Sequence, residues 1–153
     1  MPNEFQMKVL KHLKKYVMGT ADLGLVVYPD RLWDGSSEVK FRIHGRSDSD
    51  YAANKDDRRS ISGGVVFLEG CPIAFRSSMQ KFVTLSVTEA ESASGVMVAQ
   101  DMLYVYRLMD SIGLSVELPM LLEMDNTGAV DLANNWSVGW AEPSCGCTKS
   151  FLA

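Results

Sequence analysis

Asp48, Glu91 and Asp125 are the residues of this chain best suited to do chemistry. Asp48 closes the strand-like run Phe41-Arg-Ile-His-Gly-Arg-Ser-Asp48, Glu91 lies at the start of a long helical pattern, and Asp125 closes the apolar run Met120-Leu-Leu-Glu-Met-Asp125. Carboxylate oxygens are hard ligands, and three of them delivered by separate core elements can gather negative charge around Mg²⁺. A solvated surface acid explains any one of them taken alone; the pattern of three strengthens the case for a site without deciding it. Two Mg²⁺ about 3.5–4 Å apart, holding an attacking water and a leaving oxygen, would hydrolyse a phosphodiester. Without a cation, three carboxylates that close repel one another, and at least one resists ionising.

The elements that must position them are readable from periodicity. Residues 4–18 form an amphipathic helical pattern, with Phe5, Val9, Leu13, Tyr16 and Val17 on one side, lysines on the other and Gly19 at the end. Leu23–Tyr28 reads as a short strand, followed by a loop through Pro29-Asp30 and Asp34-Gly35. Three strand-like stretches follow at 39–47, 64–68 and 73–77, the last two joined by the turn Glu69-Gly70-Cys71-Pro72. Thr88 to about Ile112 is the longest helix candidate, with Val96, Ala99, Leu103 and Tyr106 as its apolar stripe. Met120–Asp125 is a strand and Thr127–Asn134 a short helix. Hairpin-linked strands, then a helical crossover to a further strand, predict an α/β protein with a mixed sheet. The crossover strand then lies parallel to the first strand of the meander, with Asp48 and Asp125 roughly 5 Å apart.

Composition sets the boundaries. At 153 residues, 46% apolar and 22% charged, the chain suits one globular domain with a real core. No apolar run approaches the roughly 18 residues that span a bilayer, so no membrane partner is expected. The N-terminus lacks a secretory layout, and three cysteines make no disulfide framework; an intracellular setting, cytoplasmic or nuclear, is expected. A net charge of −4 argues against bulk nucleic-acid affinity, although Lys8, Lys11, Lys14 and Lys15, and then Lys55, Arg58 and Arg59, are clustered. A solvated face accounts for both clusters, and a local basic groove beside the acidic site is the alternative. His44 reads as a core or surface histidine and His12 as solvated, not as ligands. Cys145 and Cys147, with no second pair and no nearby histidine, are a weak zinc signal.

Four motifs carry a resemblance. The stretch from Ser47-Asp-Ser-Asp-Tyr51 through Lys55-Asp-Asp-Arg-Arg-Ser60 to Gly64-Val-Val-Phe-Leu68, together with Leu85-Ser-Val-Thr-Glu-Ala-Glu91 and Met124-Asp-Asn-Thr-Gly-Ala-Val-Asp-Leu-Ala133, resembles the ribonuclease H domain of copia-type retrotransposon Pol polyproteins. Val9-Leu-Lys-His-Leu-Lys-Lys-Tyr-Val-Met-Gly-Thr20, with Gly24-Leu-Val-Val-Tyr28, resembles the segment that joins reverse transcriptase to that domain. The resemblance implies a ribonuclease H-like fold over residues 38–139, a connecting remnant over 1–37, and Asp48, Glu91 and Asp125 as catalytic metal ligands. It implies two Mg²⁺, or Mn²⁺ in their place, cutting the RNA strand of an RNA–DNA hybrid during reverse transcription. Asp48 would bridge the ions, Glu91 serve the leaving side and Asp125 the attacking water. The reverse transcriptase domain of the same polyprotein is the implied partner. Helical phase alone favours Glu89 on the core side, whereas the family motif points to Glu91. Asp50 and Asn126 would be supporting residues, and Asp56, Asp57, Arg58 and Arg59 a charged turn.

After Trp136-Ser-Val-Gly139 the resemblance stops. Related domains continue with a strand-containing Gly-Arg-Thr-Arg-His-(Val/Ile)-Asp-(Val/Ile)-Arg stretch, whose aspartate is a fourth carboxylate, and then a final helix. A one-base shift at the TGG codon of Trp140 lets the codons of Ala141 to Lys149 encode Gly-Arg-Asn-His-Arg-Val-Asp-Val-Arg, close to that motif. The hypothesis is that residues 140–153 are an out-of-frame tail and that the domain lacks its last strand and C-terminal helix; genomic DNA in which no shift restores the motif would sink it. The expectation is thus a ribonuclease H fragment. Its rival is a catalytically dead relic, which the missing carboxylate favours, and an unrelated α/β binding domain is a third reading.

Overall fold

The computed structural model describes residues 3–36, 39–136 and 149–152. In chain order the elements are α1 (Glu4–Gly19), β1 (Lys40–Phe41), β2 (Ile43–Asp50), β3 (Ile61–Leu68), β4 (Cys71–Met79), α2 (Val87–Ser111), β5 (Ser115–Val116), β6 (Met120–Glu123), α3 (Thr127–Trp136) and β7 (Lys149–Leu152). The protein is a mixed α/β fold. Its main sheet has the order β4-β3-β2-β6-β7, and β1 and β5 form a separate parallel pair.

The register decides the site. β2 runs antiparallel to β3, with Asp48 opposite Gly63. β6 lies parallel to β2 on its other side, pairing Gly45 with Leu122 and Arg46 with Glu123. Two residues past that last pair come Asp48 on one strand and Asp125 on the other, so the pairing leads both acids to the same end of the sheet. The expected parallel crossover is therefore present, and α2 makes it.

Alternation along β2 turns Ile43, Gly45 and Ser47 inward, where all three are buried. Gly45 faces Val98 and Met102 of α2, and Ile43, Val66, Met120, Leu122 and Met124 complete the apolar core with them. The helix lies very close to the strands. A Cβ on Gly64 would run into Val98 Cγ2, and one on Gly95 would come within 2.6 Å of Met124 Sδ. Bare glycines on both surfaces permit that approach. Ser86 caps α2 by accepting a hydrogen bond from Glu89 N at 3.1 Å.

Four sequence expectations change. The apolar stripe of α2 is displaced: Val96 is exposed and Ala99, Leu103 and Tyr106 are only partly buried, because the sheet lies on the side of Val98, Met102, Val105 and Met109. Leu23–Tyr28 forms no strand and its apolar side chains are exposed, because β-prone residues hold a strand only when a neighbouring strand takes up their N–H and C=O groups. The stretch 39–47 is split at Arg42, whose N–H donates to Glu69 Oε1 at 2.7 Å and whose carbonyl accepts from Glu69 N at 3.0 Å. At the far edge, where the last strand is expected to be lacking, Lys149–Leu152 pairs antiparallel with Met120–Glu123. The rest of the 140–153 tail, including Cys145 and Cys147, lies outside the described residues.

A second polar centre fastens the chain before β1 to the β3–β4 turn. Glu69 is buried, at 4% exposure. Arg31 donates to it from Nε at 2.8 Å, Arg42 Nη2 lies 3.3 Å from its Oε2, and Asp30 N donates to its carbonyl at 2.8 Å. No helix among the described residues is long and apolar enough to cross a membrane.

Candidate metal centre

Asp48, Glu91 and Asp125 come together: each offers a carboxylate oxygen, and these atoms lie within 4.8 Å of one another. Asp48 stands near the end of β2, Asp125 follows β6, and Glu91 projects from the first turns of α2. Asp48 and Asp125 are exposed, whereas Glu91 is buried at 3% exposure.

Glu91 is the most constrained of the three. Its Oε1 accepts hydrogen bonds from Ser49 N at 3.1 Å and Ser49 Oγ at 2.8 Å. Its Oε2 is buried with no hydrogen-bond partner. Burial pushes the Glu91 carboxyl above its ordinary range, and the charges of Asp125 and Asp48 push the same way; the Ser49 hydrogen bonds oppose them. A buried carboxylate oxygen with no donor is costly unless a cation meets it. The set is all oxygen, partly open to solvent and short of positive charge. Such an all-oxygen set fits a hard metal ion, which these three residues could hold.

The structure separates the remaining candidates. Glu89 is exposed, and its Oε2 accepts from Leu85 N at 2.7 Å, so it finishes the helix start and stays out of the cluster. The weak phase argument for Glu89 fails because this helix turns the next acid, Glu91, onto the strands. Asn126 caps α3, with Oδ1 accepting from Ala129 N at 2.9 Å. Asp50 ends β2, exposed, opposite Ile61. Asp57 Oδ1 accepts from Arg59 N at 3.1 Å and Asn54 Oδ1 from Asp56 N at 3.0 Å, a charged turn as expected. His44 stacks on Phe67 with centroids 4.6 Å apart, four residues back along β2 from Asp48, which is about 13 Å of strand. Burial pulls its imidazole below the ordinary histidine range. His12 is exposed on α1.

Sequence reasoning missed Ser49 and Ser94. Ser94 Oγ lies 2.6 Å from the Asp48 carbonyl oxygen and 2.9 Å from that of Gly63, so its hydroxyl pins α2 to β2 and β3 beside the acids. The available signal was phase: Ser49 shares the inward parity of Ser47, and Ser94 sits three residues after Glu91.

Comparison with known proteins gives a consistent picture. The chain is 33% identical over 135 residues to the retrovirus-related Pol polyprotein from transposon RE1 of Arabidopsis thaliana, and 32% identical over 135 residues to that of transposon RE2. It is 28% identical over 134 residues to the retrovirus-related Pol polyprotein from transposon TNT 1-94 of Nicotiana tabacum. Each match covers 88% of this chain but only 9% of the polyprotein. No family model and no solved structure matches the chain. A mixed sheet that gathers three carboxylates, and an alignment to one segment of several transposon polyproteins, make the chain a relative of the Pol polyproteins of copia-type retrotransposons.

Proposed function

We propose that the chain is a ribonuclease H-type segment, in which Asp48, Glu91 and Asp125 hold Mg²⁺ for hydrolysis of the RNA strand in an RNA–DNA hybrid. The observation that carries this reading is the convergence of the three carboxylates within 4.8 Å. The unpartnered Oε2 of buried Glu91 adds to it.

Bound metal would lower the pKa of a water and offset charge on the scissile phosphate. The chain's own residues do the rest. Asp48 and Asp125 present exposed carboxylates at the mouth of the site, and Glu91 supplies a carboxylate whose orientation Ser49 fixes. Lys55 and Arg58, exposed on the loop after β2, offer cations for a phosphate backbone in a chain whose net charge is −4. The 2′-hydroxyls of the RNA strand are the groups that distinguish it from DNA.

The test is cleavage of an end-labelled hybrid by the purified chain with Mg²⁺, beside Asp48→Asn and a chelator control. Cleavage that both controls abolish supports the reading. Intact hybrid, under conditions where the chain still binds divalent ion, would instead support the catalytically dead relic. That rival draws on the described site's having three carboxylates where the resemblance leads one to expect four.

A further inference from the structure

The two serines beside the acidic cluster point in opposite directions across one interface. Ser49, on the strand, donates from both N and Oγ to the carboxylate of Glu91 on the helix. Ser94, on the helix, reaches the carbonyl oxygens of Asp48 and Gly63 on the strands. Ser94 is fully buried at 0% exposure, and Ser49 is half-buried. We propose that Ser49 and Ser94 form a reciprocal hydroxyl clasp that positions Asp48 and Glu91 for a divalent ion before the ion arrives. This rests on the metal-site reading above.

The physical need for a clasp follows from the charges. Three carboxylate oxygens within 4.8 Å repel one another when no cation separates them. An unrestrained Glu91 would relieve that repulsion by rotating its carboxylate away from the aspartates, and the ion would then have to recover the lost rotamer entropy on binding. Two donors on a single oxygen, Oε1, hold the carboxylate in one orientation and leave Oε2 without a protein partner. Ser94 acts one level down: it sets how α2 sits over β2, and so the separation from which Glu91 reaches Asp48. Neither serine is placed to touch substrate by these contacts; both are positioning residues.

The test is Mn²⁺ titration of the full chain, followed through the loss of free Mn²⁺ signal, with metal-free melting recorded for every variant. Asp48→Asn tests the site itself. Ser49→Thr keeps a hydroxyl, Ser49→Val has nearly the same shape without one, and Ser94→Ala removes the second hydroxyl. Partners of metal ligands typically change affinity by about 10–100-fold, so Ser49→Val and Ser94→Ala are each expected to weaken Mn²⁺ binding about tenfold or more. Ser49→Thr is expected to bind like the wild type. The Thr and Val variants share a shape, so a packing defect would affect both alike, and they decide the matter should Ser94→Ala fail to fold. Equal binding by Ser49→Thr and Ser49→Val, alongside lost binding by Asp48→Asn, overturns the clasp and leaves the metal site standing. A wild type that binds no Mn²⁺, or an Asp48→Asn variant that binds it unchanged, overturns both.

Discussion

Helices α1 and α2 are both amphipathic and both well capped, yet they end in opposite situations. α1 closes its first turn with a capping box, Asn3 and Gln6 exchanging hydrogen bonds at 2.8 Å, and buries none of its residues. Its apolar side chains, among them Phe5, Val9, Leu13 and Tyr16, are exposed. α2 buries eight: Ala90, Glu91, Ser94, Gly95, Val98, Met102, Val105 and Met109. Periodicity says that a helix has a face to bury; it does not say against what. α2 finds its partner in the sheet of the same chain, where Gly64 and Gly95 let the surfaces close. Nothing among the described residues offers α1 such a surface. The buried helix is also the one that carries Glu91 to the acidic cluster.

The contrast can be broken by mutation. Met102, at 0% exposure on the sheet-facing side of α2, should be the most costly truncation: Met102→Ala is expected to lower stability by about 2–5 kcal/mol in denaturant unfolding. A loss below about 1 kcal/mol would mean that α2 is not the keystone of the core.

Glu69 comes next. Arg31 above all, with the N–H and guanidinium of Arg42, pulls its carboxyl down to about 2 from the ordinary 4.5. The folded pKa lies below the unfolded one, so the ionised group contributes stability that is complete above about 4.5 and fades as pH falls toward about 2. Glu69→Gln should destabilise by about 1–3 kcal/mol near neutral pH. The gap to wild type should narrow as melting is measured at progressively lower pH across that window. A gap independent of pH would show that the hydrogen-bond geometry, and not the charge, is what matters.

Glu91→Gln should move the opposite way and by less. Burial and two neighbouring aspartates oppose its charge, so the metal-free variant is expected to melt above wild type while losing its divalent-ion response. A lower melting point would mean that Glu91 serves the fold before it serves a site. The smallest effect belongs to α1. Leu13→Ala, at a position 55% exposed, should change stability by no more than about 0.5 kcal/mol. A loss well above that would show α1 to be packed against a surface in solution.

Much of the site was legible because it depends on local pattern. Strand alternation and a parallel crossover bring Asp48 and Asp125 to one sheet end, and both are properties of the chain that survive without side-chain detail. The choice between Glu89 and Glu91 was not legible from phase: two residues apart in a first helical turn, both can be drawn facing a core whose position is unknown. Motif resemblance points to Glu91, and Glu91 is the acid that lies with Asp48 and Asp125 and accepts from Ser49. That serine and Ser94 were invisible for a general cause: a serine's partner is set by tertiary packing, and its composition signal is that of any turn or cap. Leu23–Tyr28 misled for the complementary reason, since β propensity expresses fit to a neighbouring strand. Composition shows Glu69-Gly70 only as a turn, although Glu69 anchors both Arg31 and Arg42.

That anchor has a mechanical consequence. Arg31 is tied to the β3–β4 turn, beside the start of β2, whereas Asp48 stands near the other end of that strand. From Arg42 to Asp48 is about 20 Å of extended chain. Tension applied through the N-terminal segment would therefore be borne at the Arg31–Glu69 tie before it reached the strand end where the acids converge. A pull on the N-terminal segment would thus meet the Arg31–Glu69 tie first and the carboxylates last.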